Sequence, residues 1–185
     1  NLRGVKESGA FFAPPTYIYV VMLLTLIGTG LYRVYFRDLG AIPERMLSQE
    51  AIQHSKETSA LGLMLLLRAF SSGAVALSGV EAVSNGVPAF QKPESRNASI
   101  TLLWMGTILG SCFIGISVLA SKLLPYRGDE DPTGIALMAE HVFGGKNVLF
   151  WIMQISTFAI LILAANTAYA DFPRLSSIIA NDGFI

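Results

Sequence analysis

The sequence predicts an all-α membrane protein with four transmembrane spans, one of them discontinuous. Charged residues make up 14% of the chain, against about 25% in an average soluble domain. Hydrophobic residues make up 52%, and the mean hydropathy is +0.54. The charges are gathered into short segments, which leaves three charge-free runs, over 8–32, 97–121 and 147–170. Runs of this kind are typical of helices that cross a bilayer.

Charge and cysteine content exclude several other classes of protein. The 13 Lys and Arg residues balance the 13 Asp and Glu residues, which disfavours a basic nucleic-acid-binding surface and an acidic disordered tail. Cys112 is the one cysteine of the chain, so no internal disulfide can form. We therefore expect the lipid bilayer as a partner, and no nucleic acid.

The three charge-free runs are long enough to span a membrane without interruption. Each is about 24 residues long, which is roughly 36 Å of α-helix, and the hydrocarbon core is about 30 Å thick. The spans are predicted over about 12–34, 98–122 and 147–171. Buried helices of a soluble protein are the alternative, but three of this length in one chain favour the membrane.

The fourth apolar region, 60–90, is predicted to be a span broken near 78–81. It contains Gly73, Gly79, Gly86 and Pro88, and each glycine lowers helix stability by about 1 kcal/mol relative to alanine. In lipid, unwound backbone persists only where protein buries it or where it lines a cavity. A discontinuous helix at this point is the expected result.

Glu81 is the strongest candidate for a functional residue. An ionisable side chain at membrane depth costs about 3 kcal/mol or more and is a functional hypothesis by default. It directly follows Ser78, Gly79 and Val80, where an unwound turn would present carbonyls to a cation and amides to an anionic group. Its carboxylate could attract a cation, or a carboxyl group kept from water could carry a proton. A structural glutamate, bonded internally or to Arg68, is the alternative.

Other polar residues near the spans have two interpretations each. Asn85 lies one turn beyond Glu81 and could bind the same ligand or cap the half-helix. Asn166 and Thr167 could line a pathway or bond a neighbouring helix. No phosphate-binding glycine loop, nucleophile constellation or metal-ligand spacing occurs in the sequence, so we expect no enzyme, no resident cofactor and no metal other than a transported cation.

The chain is predicted to be one membrane unit, 1–185, because no flexible linker divides it. Residues 33–59 and 122–146 are expected to be long loops, the second of them acidic. The chain opens on Asn1 without methionine or signal peptide, so we expect a piece of a longer protein. Lys and Arg are nearly equally frequent per residue on the two sides of the predicted membrane, which leaves orientation undecided by the positive-inside rule.

Four motifs in order resemble the amino acid–polyamine–organocation (APC) superfamily of secondary transporters, helices five to eight. They are NLRGVKES at 1–8, SGVE at 78–81, KPESRN at 92–97, and ANT at 165–167 followed by DFPRL at 171–175. The resemblance implies part of a LeuT-type inverted-repeat fold, with the SGVE motif at the break of the sixth helix. It also implies that residues 1–9 and the C-terminal end are cytoplasmic, in a bacterial plasma membrane.

Within the superfamily, the broken span resembles that of the KimA-type potassium importers. The likeness is carried by AFSSG at 69–73, ALSGVEA at 76–82 and PAF at 88–90. It implies potassium uptake by alternating access, with Ser78 near the ion and Glu81 exchanging a coupling proton. Sodium is the alternative coupling ion. Many amino-acid permeases carry an aromatic gate shortly before the break, and the stretch 72–77 has no aromatic residue.

Two alternatives to potassium uptake stay open. An amino-acid or polyamine permease of the same fold would bind its substrate's carboxylate and amine at the break. A transporter-like membrane sensor would keep the fold and move no substrate. The expected partners are a small cation or amino-acid substrate and the remaining helices of the same chain, one to four and nine onward, with a homodimer left open.

Overall fold

The computed structural model describes residues 5–43, 46–47, 63–74, 91–125 and 132–181. Five α-helices lie in these ranges, and no strand occurs in them. The helices are α1 (Val5–Phe36), α2 (Leu63–Ala74), α3 (Glu94–Leu123), α4 (Gly134–Phe143) and α5 (Val148–Asn181).

Three of the helices are long and apolar enough to cross a membrane, over Ala13–Phe36, Glu94–Leu123 and Val148–Asn166. They lie where the charge-free runs occur in the sequence. Large apolar side chains stand exposed on each of them, such as Val21 on α1, Phe113 on α3 and Phe158 on α5. Exposed apolar surface on this scale needs lipid or further protein to cover it.

The region of the fourth predicted span contains α2. Its described part, Leu63–Ala74, is 12 residues long, and a membrane span needs about 20. The predicted break at 78–81 lies outside the residues that the structure describes. The discontinuous span therefore stays a prediction.

Helix α1 contains a proline pair and ends in a left-handed turn. Pro14 and Pro15 lie inside it, and because proline has no N–H, the helix lacks the bonds that these positions would donate one turn back. At its other end, the Arg33 carbonyl accepts from the amides of Arg37 at 3.1 Å and Leu39 at 3.0 Å. Asp38 takes a positive φ of 50° there, which turns the chain out of the helix.

Helix α3 satisfies its own hydroxyl groups. Thr101, Thr107 and Ser111 each donate to the carbonyl four residues earlier, at 2.9, 2.7 and 2.7 Å. These side chains are exposed, and internal bonding lets them face hydrocarbon without an unpaired hydroxyl proton. At its end, the Leu124 amide donates to the Ala120 carbonyl at 2.8 Å.

The prediction of a loop throughout 122–146 is wrong, because α4 lies within it. Thr133 caps this helix by accepting from the Ala136 amide at 3.3 Å. Its apolar residues at 135–139 are too few to span a membrane, so the length of the apolar run does not indicate a helix here. Four consecutive residues of α4, from 136 to 139, are buried, as expected of a helix covered on all sides.

The chain divides into two compact units. The first takes in Asn1–Gly40 and Thr133–Ile185, and the second Ala41–Pro132. In the first, α1 packs against α5, and α4 packs against both. Its core combines Leu26 of α1, Leu137 and Val142 of α4, and Met153 of α5, all of them at most 2% exposed. The second unit contains α2 and α3, and the Ile42 amide donates to the Leu123 carbonyl there at 2.8 Å.

Candidate functional site

The residues predicted to bind substrate at the break lie outside the described part of the chain. They are Ser78, Gly79, Val80, Glu81 and Asn85. The structure therefore neither brings them together nor separates them, and their roles stay predictions. What it does describe is α2, whose last described residue, Ala74, lies four residues before Ser78 in the sequence.

Helix α2 approaches the predicted break with an exposed and largely apolar surface. Leu66 and Phe70 are 61% and 77% exposed, and Ser71 is also exposed. A Cβ atom added at Gly73 would meet nothing within 4 Å. Gly73 lies inside α2, so it does not break the helix there, and close packing within the described structure does not require glycine at this position.

Asn166 is placed on α5, close to the end of the membrane-length stretch Val148–Asn166. Its side chain is half-buried, and it makes no hydrogen bond to any residue that the structure describes. A half-buried amide at membrane depth calls for a polar partner. Thr167 follows it in the helix, and its side chain lies outside the description.

Other hydroxyl groups on α1 and α5 are already bonded within their own helices. Thr25 donates to the Val21 carbonyl at 2.7 Å, and Thr29 to the Thr25 carbonyl at 2.6 Å. On α5, Ser156 and Thr157 both donate to the Met153 carbonyl, at 2.9 and 2.8 Å. Asn166 differs from these four residues because its side chain makes no such bond to the described part of the chain.

A second polar cluster, which the sequence did not indicate, joins the end of α1 to the end of α4. The Arg33 guanidinium donates through Nη1 to the Val142 carbonyl. Nε2 of His141 lies 3.0 Å from the Gly40 carbonyl oxygen, and because a carbonyl can only accept, Nε2 carries the proton. We call these four residues, Arg33, Gly40, His141 and Val142, the C-terminal clasp.

Helix electrostatics explain why hydrogen-bond donors from an arginine and a histidine stand in the clasp. The carboxyl ends of α1 and α4 meet there, and each carries a partial negative charge from its unpaired carbonyls. Arg33 lies in the last turn of α1 and His141 in the last turn of α4, and each side chain reaches a carbonyl beyond its own helix. A donor between two such ends offsets the repulsion between them.

The turn from α4 into α5 completes this corner. Gly144 and Gly145 take φ values of 80° and 127°, and both of their amides donate to the Glu140 carbonyl. Asn147 then bonds both helices, because its Nδ2 donates to the Phe143 carbonyl at 2.8 Å and its Oδ1 accepts from the Phe150 amide at 3.0 Å. The glycine pair is the sequence signal that could have located the end of α4.

The remaining charges around this corner form no ion pairs among the described residues. Arg37 and Lys146 are exposed, and neither side chain makes a hydrogen bond or ion pair to the parts of the chain described. In the same ranges, no group of three or more His, Cys, Asp or Glu side chains is placed to hold a metal ion. The chemistry of the corner is thus helix-to-helix attachment.

Comparison with known proteins gives two matches. The model of a family described as amino acid permease matches residues 1–185. The chain is also 42% identical over 187 residues to the potassium transporter KimA of Bacillus subtilis (strain 168). That alignment takes in 100% of this chain and 29% of the relative, so the chain spans less than a third of the length of the curated relative that it matches.

Proposed function

The chain belongs to the amino acid permease family, and from that premise we propose that it is part of a proton-coupled secondary transporter that takes up potassium. The observation that carries the proposal is its 42% identity, along its whole length, to a protein named as a potassium transporter. Three apolar helices of membrane length, over Ala13–Phe36, Glu94–Leu123 and Val148–Asn166, provide the scaffold that such a protein needs.

Family membership also decides two of the predictions made from the sequence. The resemblance to the APC superfamily is confirmed, and so is the all-α membrane class with a LeuT-type fold. The protein is therefore an integral membrane protein. Its placement in a bacterial plasma membrane, with residues 1–9 and the C-terminal end in the cytoplasm, belongs to the proposal.

In the proposed mechanism, potassium binds at the break and crosses by alternating access. Carbonyls of the unwound turn at 78–81 and the Ser78 hydroxyl would replace the water around the ion. Asn85 would add an amide oxygen one turn later, and Asn166 would offer its side-chain amide along the pathway. Membership of the permease family identifies the protein as a transporter and not an enzyme.

Glu81 would link potassium movement to the proton gradient. In a symporter, Glu81 would carry a proton while potassium occupies the break, and both cations would be released on the inner side. Each cycle would then move one proton and potassium inward together, so the proton gradient drives potassium uptake. A proton is the coupling ion that we propose, with sodium as the alternative.

The test is potassium uptake by the full-length transporter in proteoliposomes with an imposed pH gradient. We expect Glu81→Gln to abolish the dependence of uptake on that gradient, because the amide cannot exchange a proton at neutral pH. Glu94→Gln is the matched control, since Glu94 lies in the first turn of α3 and pairs with no described residue. Unchanged pH-dependent uptake in Glu81→Gln would refute the coupling role.

An amino-acid or polyamine permease is the second candidate, and the description of the matched family favours it. In that case the free amides and carbonyls of the break would bind the carboxylate and the amine of the substrate. Competition between labelled substrates in the same proteoliposomes separates the two proposals. Saturable uptake of an amino acid, with no effect of potassium, would replace the first proposal by the second.

A further inference from the structure

The C-terminal clasp ties α4 to α1 across more than one hundred residues of sequence. The Arg33 side chain bonds the Val142 carbonyl, and His141 bonds the Gly40 carbonyl at 3.0 Å. The two bonds run in opposite directions, one from α1 to α4 and one from α4 to the turn after α1. A sliding or tilting of either helix end would break both.

Arg33 also holds the end of its own helix. Its carbonyl accepts hydrogen bonds from the amides of Arg37 and Leu39. The backbone of Arg33 therefore caps the end of α1, while its side chain caps the end of α4. Its Nη1 lies 3.8 Å from the position that a Cβ atom at Gly144 would occupy, which places the guanidinium against the turn that leads into α5. One residue therefore touches the junctions of three helices.

Packing and capping support the same attachment. Helix α4 contacts both α1 and α5, and Asn147 bonds the Phe143 carbonyl of α4 and the Phe150 amide of α5. The short helix is thus fixed at its carboxyl end by one bond network that includes α1, α4 and α5.

We propose that the C-terminal clasp makes α4 part of one rigid body with the end of α1 and the start of α5, so that α4 moves only with them during transport. Arg33 is the positioning residue of this body. The inference deepens the proposed transport function, since it names the elements that move together. It differs from a swinging lid, in which α4 would change its distance from α1 between states.

The first experiment measures the distance between α1 and α4 in the full-length transporter. Spin labels at Tyr35→Cys and Glu140→Cys, on a cysteine-free background in nanodiscs, report that distance by pulsed electron resonance. Tyr35 is 62% exposed and Glu140 half-buried, and neither side chain belongs to the clasp. We expect the same narrow distance distribution with and without potassium. A shift of its maximum on adding potassium would overturn the rigid body.

The second experiment removes the clasp. Arg33→Gln should broaden the distance distribution and speed amide exchange in 136–143 by about ten- to a hundredfold, as expected for losing a charge-assisted bond. Arg33→Lys keeps the charge but not the planar fork. Its distance distribution and exchange rates should lie between those of the parent protein and those of Arg33→Gln. Arg37→Gln removes an exposed cation one turn later, whose side chain pairs with no described residue, and should match the parent protein. Exchange and distances in Arg33→Gln equal to those of the parent would refute the role of Arg33.

Neither measurement depends on the identity of the substrate. If the transporter carries an amino acid, the proposed potassium uptake fails, and the distance is then measured with and without that amino acid. Should Arg33→Gln not fold, Arg33→Lys and the distances in the parent protein still decide the question.

Discussion

Single residues at the corner of α1, α4 and α5 join helices in a way that their positions in the sequence do not indicate. Arg33 stands at the end of a charge-free run and His141 within a stretch predicted to be a loop. Their partners, Val142 and Gly40, are backbone carbonyls. Every residue has a backbone carbonyl, so residue types do not show which carbonyl a distant side chain will bind.

Asn147 provides the first residue-scale prediction. Asn147→Ala removes the acceptor for the Phe150 amide and the donor to the Phe143 carbonyl, and loss of a helix cap costs about 0.5–2 kcal/mol. We expect a lower midpoint of thermal unfolding for the purified full-length transporter. Asn147→Ser keeps a capping oxygen and should recover most of the loss. If the alanine variant unfolds at the parent temperature, the cap does not contribute to stability.

Gly144 provides the second residue-scale prediction. Its φ of 80° is left-handed, which costs a residue with a Cβ about 1–2 kcal/mol, while the added atom would meet Arg33 Nη1 at an ordinary 3.8 Å. Gly144→Ala should therefore lower the unfolding midpoint through backbone strain and not through a clash. Asparagine tolerates this conformation better, so Gly144→Asn should lose less. Equal losses in the two variants would show that the added volume matters more than the backbone.

At the scale of elements, sequence reasoning located the long helices and missed the short one. The charge-free runs mark α1, α3 and α5 because a bilayer demands about 20 apolar residues in a row. Helix α4 has 10 residues, so length gave no signal, although Thr133 and Gly144 bracket it as start and stop residues. The predicted site at 78–81 is untested, because those residues lie beyond the ranges that the structure describes.

The proline pair of α1 leads to an element-scale prediction. Pro14→Ala restores an N–H that can donate to the carbonyl one turn back, and proline inside a helix costs about 3 kcal/mol relative to alanine. We expect a higher midpoint of thermal unfolding and slower amide exchange in the first turns of α1. Ala13→Ser, a change of similar size that keeps both prolines, serves as the control. A lower midpoint in Pro14→Ala would mean that the irregular backbone is needed for packing.

At the scale of the whole molecule, the surface of the described helices is apolar where a soluble protein would be polar. Phe113 lies near the middle of α3 and is 71% exposed, and only 11% of the most apolar part of this helix is buried. The composition of the sequence already required this, since 52% hydrophobic residues cannot all enter the core of a small chain. What it could not provide is the division into two compact units, which depends on contacts between distant segments.

Lipid exposure of α3 is tested by placing a charge on it. An arginine at the centre of a span costs about 2.5–3.5 kcal/mol in membrane insertion. Phe113→Arg should therefore reduce the fraction of α3 that inserts into microsomal membranes and the yield of full-length transporter, whereas Phe113→Leu should leave both near the parent level. Normal insertion of the arginine variant would place this side chain next to a polar partner or water.

The hydroxyl groups of α3 have a consequence for motion. Thr101, Thr107 and Ser111 donate their hydroxyl hydrogens to carbonyls of the same helix. These hydroxyl groups therefore donate no hydrogen bond to a neighbouring helix. A helix of this kind can exchange a lipid neighbour for a protein neighbour, or turn about its axis, without breaking a hydrogen bond of these groups. The corner at Arg33 differs, because a displacement there breaks two bonds that join α4 to α1 and the turn after it. In the described part of the chain, polar side chains therefore fasten α4 to α1, whereas these three hydroxyl groups of α3 leave its neighbours exchangeable.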